Sequence, residues 1–560
     1  MNKIRVGIIS LFGLAGAGLF ALPGIQAYGG SAPRNVTFNK EVAPIFYKTC
    51  AQCHRPGEPG PFSVLSYKDV RPWAKSIKEK VVNREMPPWH ADPHFGVWIN
   101  DPRLTQAQVD TIVAWVDGGA KEGDAKDLPA APQFVEGWRI GKPDVIIPIP
   151  DEYTLDANGP DEYQYFDAQT NFTEDKYIQL AEARPGNRKV VHHIIAFVVP
   201  PGQPSLNMVP KEQRDKALEN SLKNTPFYRD GLLIRMKADQ PVYNNGPDVP
   251  ANLKGFNTVD DFLTAYAPGS DYGVWEPGTA KRIPKGALIR FQIHYSKVAG
   301  SVQKDRSVIG MIFAKQPPEK ILKTRAVANV FFEIPPNADR HKVTATWTPS
   351  LDVTLHSLSP HMHYRGAAME FKVFYPDGRS DVLLNVPAYS FNWQMVYRPQ
   401  APIRIPAGSK IQVTGYFDNT SKNKFNPDPS KAVRQGEPTY DEMMMGFMDY
   451  IAEKPQTLAK VDPRVFDGYV GKYDLGNNRA YAITREGGRY FGQGSGSGGT
   501  GPKRELFPAS ETTFVIPETE AQITFVKDEK GQVFELIYDQ NERQNHCKRI
   551  GEVAGGNKAQ

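Results

Sequence analysis

The pattern of apolar and polar positions divides the chain into three regions. Residues 35–125 contain two stretches with helical character, and the pattern predicts helices at 67–82 and 105–118, the second capped by Thr105. From residue 144 to about residue 452 the chain consists of short apolar runs broken by turns, which is typical of β-sandwiches. A shorter series of alternating strands occupies residues 463–553. The pattern therefore predicts a multidomain, mostly β protein with one small helical domain.

The central region predicts strands at 177–183, 189–199, 287–295, 307–313, 342–347, 354–358, 369–374, 410–417 and 444–451. Two stretches within it, 210–222 and 259–263, are predicted to be helical. Because about 300 residues of strand exceed one small sandwich, we expect two packed sandwiches. Their predicted bounds are 144–318 and 319–455, preceded by a linker at 126–143 that contains proline and glycine.

Composition narrows the functional classes. The chain has 560 residues, 40% apolar residues, and 48 each of proline and glycine, which favours strands and turns over long helices. The net charge of +5 is mild and there are no long basic runs, so nucleic acid is not suggested as a partner.

The first residues have the form of a secretory signal. Lys3 and Arg5 precede an apolar run at 6–22, and a small-residue cleavage site ends at Ala27. We expect residues 1–27 to be removed on export, giving a periplasmic or secreted protein without a membrane span. The alternative is that the segment is retained as an anchor.

The helical region carries a compact cysteine motif, Cys50-Ala51-Gln52-Cys53-His54. This spacing is the signature for covalent attachment of a c-type haem, in which both thiols bond the porphyrin and the histidine ligates iron. A redox dithiol or a zinc half-site is the alternative, but the first lacks a βαβ context and the second lacks another pair of ligands.

A sixth iron ligand is expected downstream of this motif. Met86 is the first candidate, because a thioether raises the potential of an electron-carrying haem and the following Pro87-Pro88 makes a rigid loop. His90 and His94 are alternative candidates for this ligand. The structural alternative for Met86 is a side chain that only fills the core. Residues 35–125 as a whole resemble a class I-like bacterial cytochrome c domain.

Five of the eleven histidines fall in strand-like contexts of the two sandwiches: His192, His193, His294, His361 and His363. A buried histidine needs a partner, and three such strands favour a metal over three separately satisfied core histidines. His361 and His363 share a strand face, since side chains two apart point the same way. His192 and His193 face opposite ways on a regular strand, so both could bind one ion only at a bulge or a strand end.

A soft ligand accompanies the histidines. Met443, Met444 and Met445 follow two acidic residues, Asp441 and Glu442, and imidazole together with thioether selects copper over zinc or magnesium. Some of these methionines must fill the core instead.

In this order along about 300 residues, the motifs resemble the copper type II, ascorbate-dependent monooxygenase family, which includes peptidylglycine α-hydroxylating monooxygenase and dopamine β-monooxygenase. The matching pieces are His192-His193, Gln292-Ile293-His294-Tyr295, His361-Met362-His363 and Asp441-Glu442-Met443. Animal members are rich in disulfides, whereas this chain has three cysteines, of which only Cys547 lies outside the haem motif. The residues that hold a peptide carboxylate or a catecholamine in the animal enzymes cannot be matched to positions of this sequence.

The resemblance implies two copper ions, one in each jelly-roll-like sandwich, across a solvent-filled cleft. His192, His193 and His294 would hold an electron-transfer copper. His361, His363 and Met443 would hold the catalytic copper, which binds dioxygen and abstracts hydrogen from the substrate C–H bond.

The resulting hypothesis is an exported copper monooxygenase that hydroxylates a small organic substrate. Its fused haem c would relay electrons from ascorbate, a quinol or another cytochrome. A haem and copper electron carrier or redox sensor without substrate turnover is the main alternative, and a zinc hydrolase with an attached haem is a third. Residues 463–553 resemble the small β domain appended to many bacterial serine hydrolases, and contain no catalytic set.

Overall fold

The computed structural model describes residues 35–552, except for the gaps 59, 135–136, 160, 202–227, 230–231, 234–261, 268–272, 331, 437–438, 456, 477, 497–498 and 541–542. The predicted signal segment 1–27 and the predicted helix 210–222 lie outside the described residues. No helix among the described residues is long and apolar enough to cross a membrane.

The chain divides into two compact units. One contains the described residues up to Asn83 together with Leu104–Ala131, and the other contains Arg84–Arg103 together with the chain from Pro132 onward. The segment Arg84–Arg103, which the sequence pattern places inside the helical domain, thus belongs with the β unit.

The first unit consists of a few short helices around an aromatic core. The helices are α1 (Ala43–Thr49), α2 (Tyr67–Val70), α3 (Ala74–Val82) and α4 (Gln106–Asp117), with a π-helical turn at Phe38–Val42 and 3₁₀ turns at Arg71–Trp73 and Ala125–Asp127. Thr105 caps α4 in a capping box with Gln108, as its position before the apolar run predicts. Phe38, Phe46 and Trp115 are buried against one another at the centre.

The second unit begins with a β-sandwich. Its strands are β1 (Val145–Pro148), β2 (Tyr153–Leu155), β3 (Glu162–Gln169), β4 (Lys176–Arg184), β5 (Val191–Val199), β6 (Tyr228–Arg229), β7 (Leu232–Leu233), β8 (Phe262–Tyr266), β9 (Gly273–Val274), β10 (Thr279–Ile283), β11 (Leu288–Tyr295), β12 (Gln303–Asp305) and β13 (Val308–Phe313). The prediction of a helix at 259–263 is wrong where residues are described, because Phe262 and Leu263 belong to β8, which pairs with β5.

The second sandwich is formed by β14 (Lys320–Ala328), β15 (Glu333–Ile334), β16 (His341–Trp347), β17 (Val353–His361), β18 (Gly366–Phe374), β19 (Ser380–Val386), β20 (Ile403–Ile405), β21 (Lys410–Phe417), β22 (Val433–Arg434) and β23 (Met445–Ala452). The two sandwiches share one sheet, of order β1-β13-β4-β10-β14-β23-β17-β20, because β10 and β14 pair in parallel. The sheets β3-β11-β5-β8 and β16-β21-β18-β19 are separate four-stranded sheets. Each sandwich has its own apolar core.

The chain continues with helix α5 (Pro463–Asp467) and a closed eight-stranded barrel. Its strands are β24 (Gly471–Gly476), β25 (Arg479–Glu486), β26 (Arg489–Gly496), β27 (Gly499–Pro508), β28 (Thr513–Ile516), β29 (Ala521–Lys527), β30 (Val533–Gln540) and β31 (Arg543–Gly551). The mostly β, multidomain class with a few N-terminal helices is therefore confirmed.

Candidate metal centres

A β-bulge brings three histidines of the first sandwich together. On neighbouring strands His294 pairs with His193 and Tyr295 pairs with Val191, so His192 is the extra residue in β5. The bulge removes the strict alternation that would turn His192 away from His193. The predicted residues His192, His193 and His294 thus lie together, where the start of β5 meets the end of β11.

The ring nitrogens of these histidines converge. One nitrogen from each lies within 4.8 Å of the others, and the Nδ1 atoms of His192 and His193 are 3.4 Å apart. His294 Nε2 hydrogen-bonds Asp161 Oδ2 at 2.9 Å, and its Nδ1 is buried with no hydrogen-bond partner among the described residues. A carboxylate on one nitrogen fixes the tautomer and directs the other nitrogen's lone pair to the ligand position.

Burial favours the uncharged form of His192 and His193. Burial and the neighbouring His294 lower the pKa of His192 to about 4, although Asp161 opposes this effect. The pKa of His193 lies well below its usual range because of burial and the nearby imidazoles of His294, His192, His361 and His363. Neutral imidazoles are the form that binds a metal ion. The three residues fit a copper or zinc ion with three nitrogen ligands.

The second histidine pair lies at the end of β17. The rings of His361 and His363 are 5.4 Å apart and nearly perpendicular, whereas Met362 between them is fully buried in the apolar core. His361 Nδ1 hydrogen-bonds Gln394 Oε1 at 2.9 Å, and His363 Nδ1 lies 3.2 Å from the carbonyl oxygen of Asp441. Because these contacts use both Nδ1 atoms, they point to Nε2 as the metal-binding atom of each ring.

Strand register and burial reduce the choice of methionine. His361 pairs directly with Met445 across β17 and β23, so these two residues share a face, and Met443, just before β23, is half-buried like Met445. Met444 has no exposed surface and belongs to the opposite, core-facing side. Met443, the predicted ligand, and Met445 therefore remain as candidates, and Met444 does not.

A buried carboxylate that sequence reasoning did not assign holds this site together. Glu442 accepts hydrogen bonds from the backbone N–H groups of His363 (2.8 Å), Arg365 (2.5 Å) and Met443 (3.2 Å). Burial raises its pKa to about 8, although these amides and the Arg365 guanidinium oppose the rise. Arg365 is itself buried and donates to Asn419 Oδ1 at 2.9 Å. The position of Glu442 beside the methionines was a signal that the sequence contained. The backbone groups to which it binds could not be predicted from the sequence.

One aromatic ring contacts both histidine sets. Phe391 stacks on His192 with a centroid distance of 5.7 Å and an interplanar angle of 8°. It meets His363 edge-on at a centroid distance of 5.9 Å. An aromatic side chain of the loop between β19 and β20 thus contacts both sets, and the solvent-filled cleft that the resemblance implies stays a prediction. Phe391 carries no sequence signal that would single it out.

That loop is packed beneath the segment Arg84–Arg103, which we call the strap. Trp89 and Trp98 are buried, with their rings 4.8 Å and 5.6 Å from the ring of Tyr397. Backbone hydrogen bonds run from Ile99 to Arg398 at 3.0 Å and from Gln400 to Val97 at 2.7 Å. The strap therefore supports the loop that carries Phe391 and Gln394.

The haem motif lies at the end of α1. Cys50 and Cys53 are both half-buried, and His54 Nδ1 lies 3.2 Å from the carbonyl oxygen of Phe62. Burial lowers the pKa of His54 despite this hydrogen bond. A histidine anchored through Nδ1 has Nε2 directed to an iron ligand position, so these residues fit a covalent haem.

The candidate sixth ligands all lie on the strap. Met86 is in its first residues, His90 is half-buried with a pKa lowered by burial, and His94 is exposed beside Asp92 at 2.7 Å. Ligation of iron by Met86 stays a prediction.

Comparison with known proteins gives no family for this chain. No family model and no curated protein matches it. Among solved structures, PNGF-II is 11% identical with a TM-score of 0.25, over 55% of this chain and 65% of that chain. The major capsid protein P2 from bacteriophage PM2 is 9% identical with a TM-score of 0.20, over 55% of this chain and 99% of that one. The chain thus spans just under two thirds of the length of PNGF-II, and similarity at this level carries no functional assignment.

Proposed function

We propose that this protein is an exported, copper-dependent monooxygenase that hydroxylates a C–H bond of a small organic substrate, with electrons relayed by a fused haem c. The observation that carries the proposal is that one ring, Phe391, contacts two histidine sets, one from each sandwich. Under this proposal the helical unit, residues 35–83 and 104–125, is the cytochrome c domain, and 144–318 and 319–455 are copper domains related to the type II, ascorbate-dependent enzymes.

The two sets are suited to different tasks. His192, His193 and His294 offer three nitrogen ligands, and the Asp161 carboxylate orients one of them. This set suits a copper ion that transfers electrons without binding dioxygen. His361 and His363 offer two nitrogens beside Met443 and Met445, which leaves room for dioxygen on a copper with a soft ligand. Copper bound there would supply the reduction of dioxygen and the oxidation of the C–H bond. Glu442 and Gln394 hold the ligands in place for this task.

Each turnover requires two electrons from outside the substrate. One oxygen atom enters the C–H bond, the other leaves as water, and two protons and two electrons complete the balance. Ascorbate, a quinol or another cytochrome would supply the electrons through a haem bonded to Cys50 and Cys53 and ligated by His54 and Met86.

Three measurements test the proposal. Purified, matured protein is expected to contain two copper ions and one iron per chain by metal analysis. Rapid mixing with ascorbate should reduce the haem first and the copper afterwards, and oxygen uptake should depend on added substrate. Copper without substrate-dependent oxygen uptake across a broad screen would favour the electron carrier, and zinc in place of copper would favour a hydrolase.

A further inference from the structure

The sheet face beside His361 is lined with uncharged side chains. Direct partners across strands share a face, and His361 pairs with Met445, while Ser359 pairs with Phe447. On the next strand Ala328 pairs with Met445 and Ala326 with Phe447. This surface, which we call the apolar floor, consists of Met445, Phe447, Ala326 and Ala328.

Aromatic rings border the apolar floor. The ring of Phe447 lies 6.1 Å from that of His361, and Phe262 of the first sandwich lies 5.9 Å from Phe447. Phe391 lies 5.9 Å from His363. Ser359, the cross-strand partner of Phe447, is a polar residue on this face. Its hydroxyl donates a hydrogen bond to the carbonyl oxygen of Met395 at 3.0 Å. Met445 and Phe447 are only half-buried, so a small molecule can contact them.

The nearest carboxylate along this face is already engaged. Asp449 lies two residues beyond Phe447, roughly 7 Å farther along the strand. It accepts hydrogen bonds from Thr324 and from Ser357 (2.8 Å), and Lys281 Nζ lies at 3.5 Å. Arg398 adds a further positive charge near it.

Lys281 is satisfied in the same way. Its Nζ donates to the carbonyl oxygens of Phe262 at 2.9 Å and Leu263 at 3.2 Å, and to Thr324 Oγ1 at 2.7 Å. A charged substrate group placed on the apolar floor would lose its hydration and gain no ion partner from the described residues that form it.

We propose that the reacting end of the substrate is an uncharged, apolar group, such as an alkyl or alkyl-aromatic carbon, which lies on the apolar floor beside His361. This inference rests on the monooxygenase assignment and names its substrate class. The reaction keeps the balance given above: the apolar C–H bond breaks, a C–O bond forms, and the second oxygen atom leaves as water with the electrons from the haem donor.

Three probes that share one ring test the inference without turnover. Toluene, benzoate and benzylamine present a methyl group, an anion and a cation, and their binding to the full chain loaded with Cu(I) under anaerobic conditions can be measured by ligand-observed NMR. Toluene is expected to bind at least about tenfold more tightly than either charged probe. Equal or tighter binding of a charged probe, or no binding of toluene, would overturn the inference.

A variant of Phe447 tests whether the preference for an uncharged probe arises at the apolar floor. Phe447→Arg should abolish toluene binding and strengthen benzoate binding, whereas Phe425→Arg, at a side chain with 53% exposure, should change neither. If Phe447→Arg does not fold, Phe447→Gln should still weaken toluene binding roughly tenfold. Copper content, measured on the same samples, separates the two claims: a protein with two coppers that prefers benzoate refutes only the substrate class, and a protein without copper refutes the monooxygenase.

Discussion

The contact between Asp161 and His294 should set the copper affinity of the first histidine set. Asp161 Oδ2 accepts from His294 Nε2 at 2.9 Å and from Ser296 Oγ at 3.1 Å. Asp161→Ala removes the group that orients the imidazole, and Asp161→Asn keeps an acceptor but removes the charge. We therefore expect the affinity for Cu(I) to fall in the order wild type, Asp161→Asn, Asp161→Ala.

The size of the loss follows from the exposure of the carboxylate. Removing an orienting partner of a metal-bound histidine typically costs about 10- to 100-fold in affinity. The Asp161 side chain is 37% exposed, so water screens part of its charge, and we expect the lower end, about tenfold or about 1.4 kcal/mol, for the alanine variant.

Competition with a Cu(I) chelator measures this effect. Only one of the two coppers should become easier to remove, because the ligands at His361 and His363 are untouched. Glu174→Gln is the matched control, since this exposed carboxylate of the same sandwich forms its ion pair, among the described residues, with Lys176 at 2.6 Å. Unchanged affinity in Asp161→Ala, alongside a lost site in His294→Ala, would refute the orienting role.

Further variants test other parts of the account. Gln394→Leu should weaken the copper site of His361 about tenfold in the same chelator assay, and an unchanged affinity would contradict its role. Trp98→Ala should lower the free energy of unfolding by about 3–5 kcal/mol in thermal or denaturant melts, because the strap ring is buried, whereas Phe534→Ala on the exposed barrel surface should have little effect. The double variant Cys50→Ala, Cys53→Ala should abolish covalent haem on a denaturing gel, and a retained haem stain would exclude attachment at this motif.

Periodicity predicted the strands well where the pairing is regular. The predicted strand 410–417 coincides with Lys410–Phe417, because Ile411 and Val413 alternate with polar residues and fill the core of the second sandwich. The predicted helix at 259–263 failed because a tertiary pairing with β5 decides the conformation of Phe262 and Leu263. A stretch as short as residues 259–263 carries no information about such a pairing.

The histidines of the two sites could be identified from the sequence, but the bulge, the strand register and the loop that bring them together could not. His192 and His193 could be placed together only with a bulge, which arises from the register between β5 and β11. Met444 could not be separated from Met443 until the pairing of His361 with Met445 fixed the faces of β23. Phe391 and Gln394 come from an irregular loop, whose position depends on contacts with a strap about 300 residues earlier in the chain.

The central claim is oxygen insertion at the second histidine set. Copper-loaded protein, incubated with isotopically labelled dioxygen, ascorbate and a cell extract, should yield a product that carries one labelled oxygen atom by mass spectrometry. The same incubation with His361→Ala, which retains its haem spectrum, should yield none. A labelled product that forms equally with His361→Ala, or no labelled product from protein with two copper ions per chain, would contradict the account.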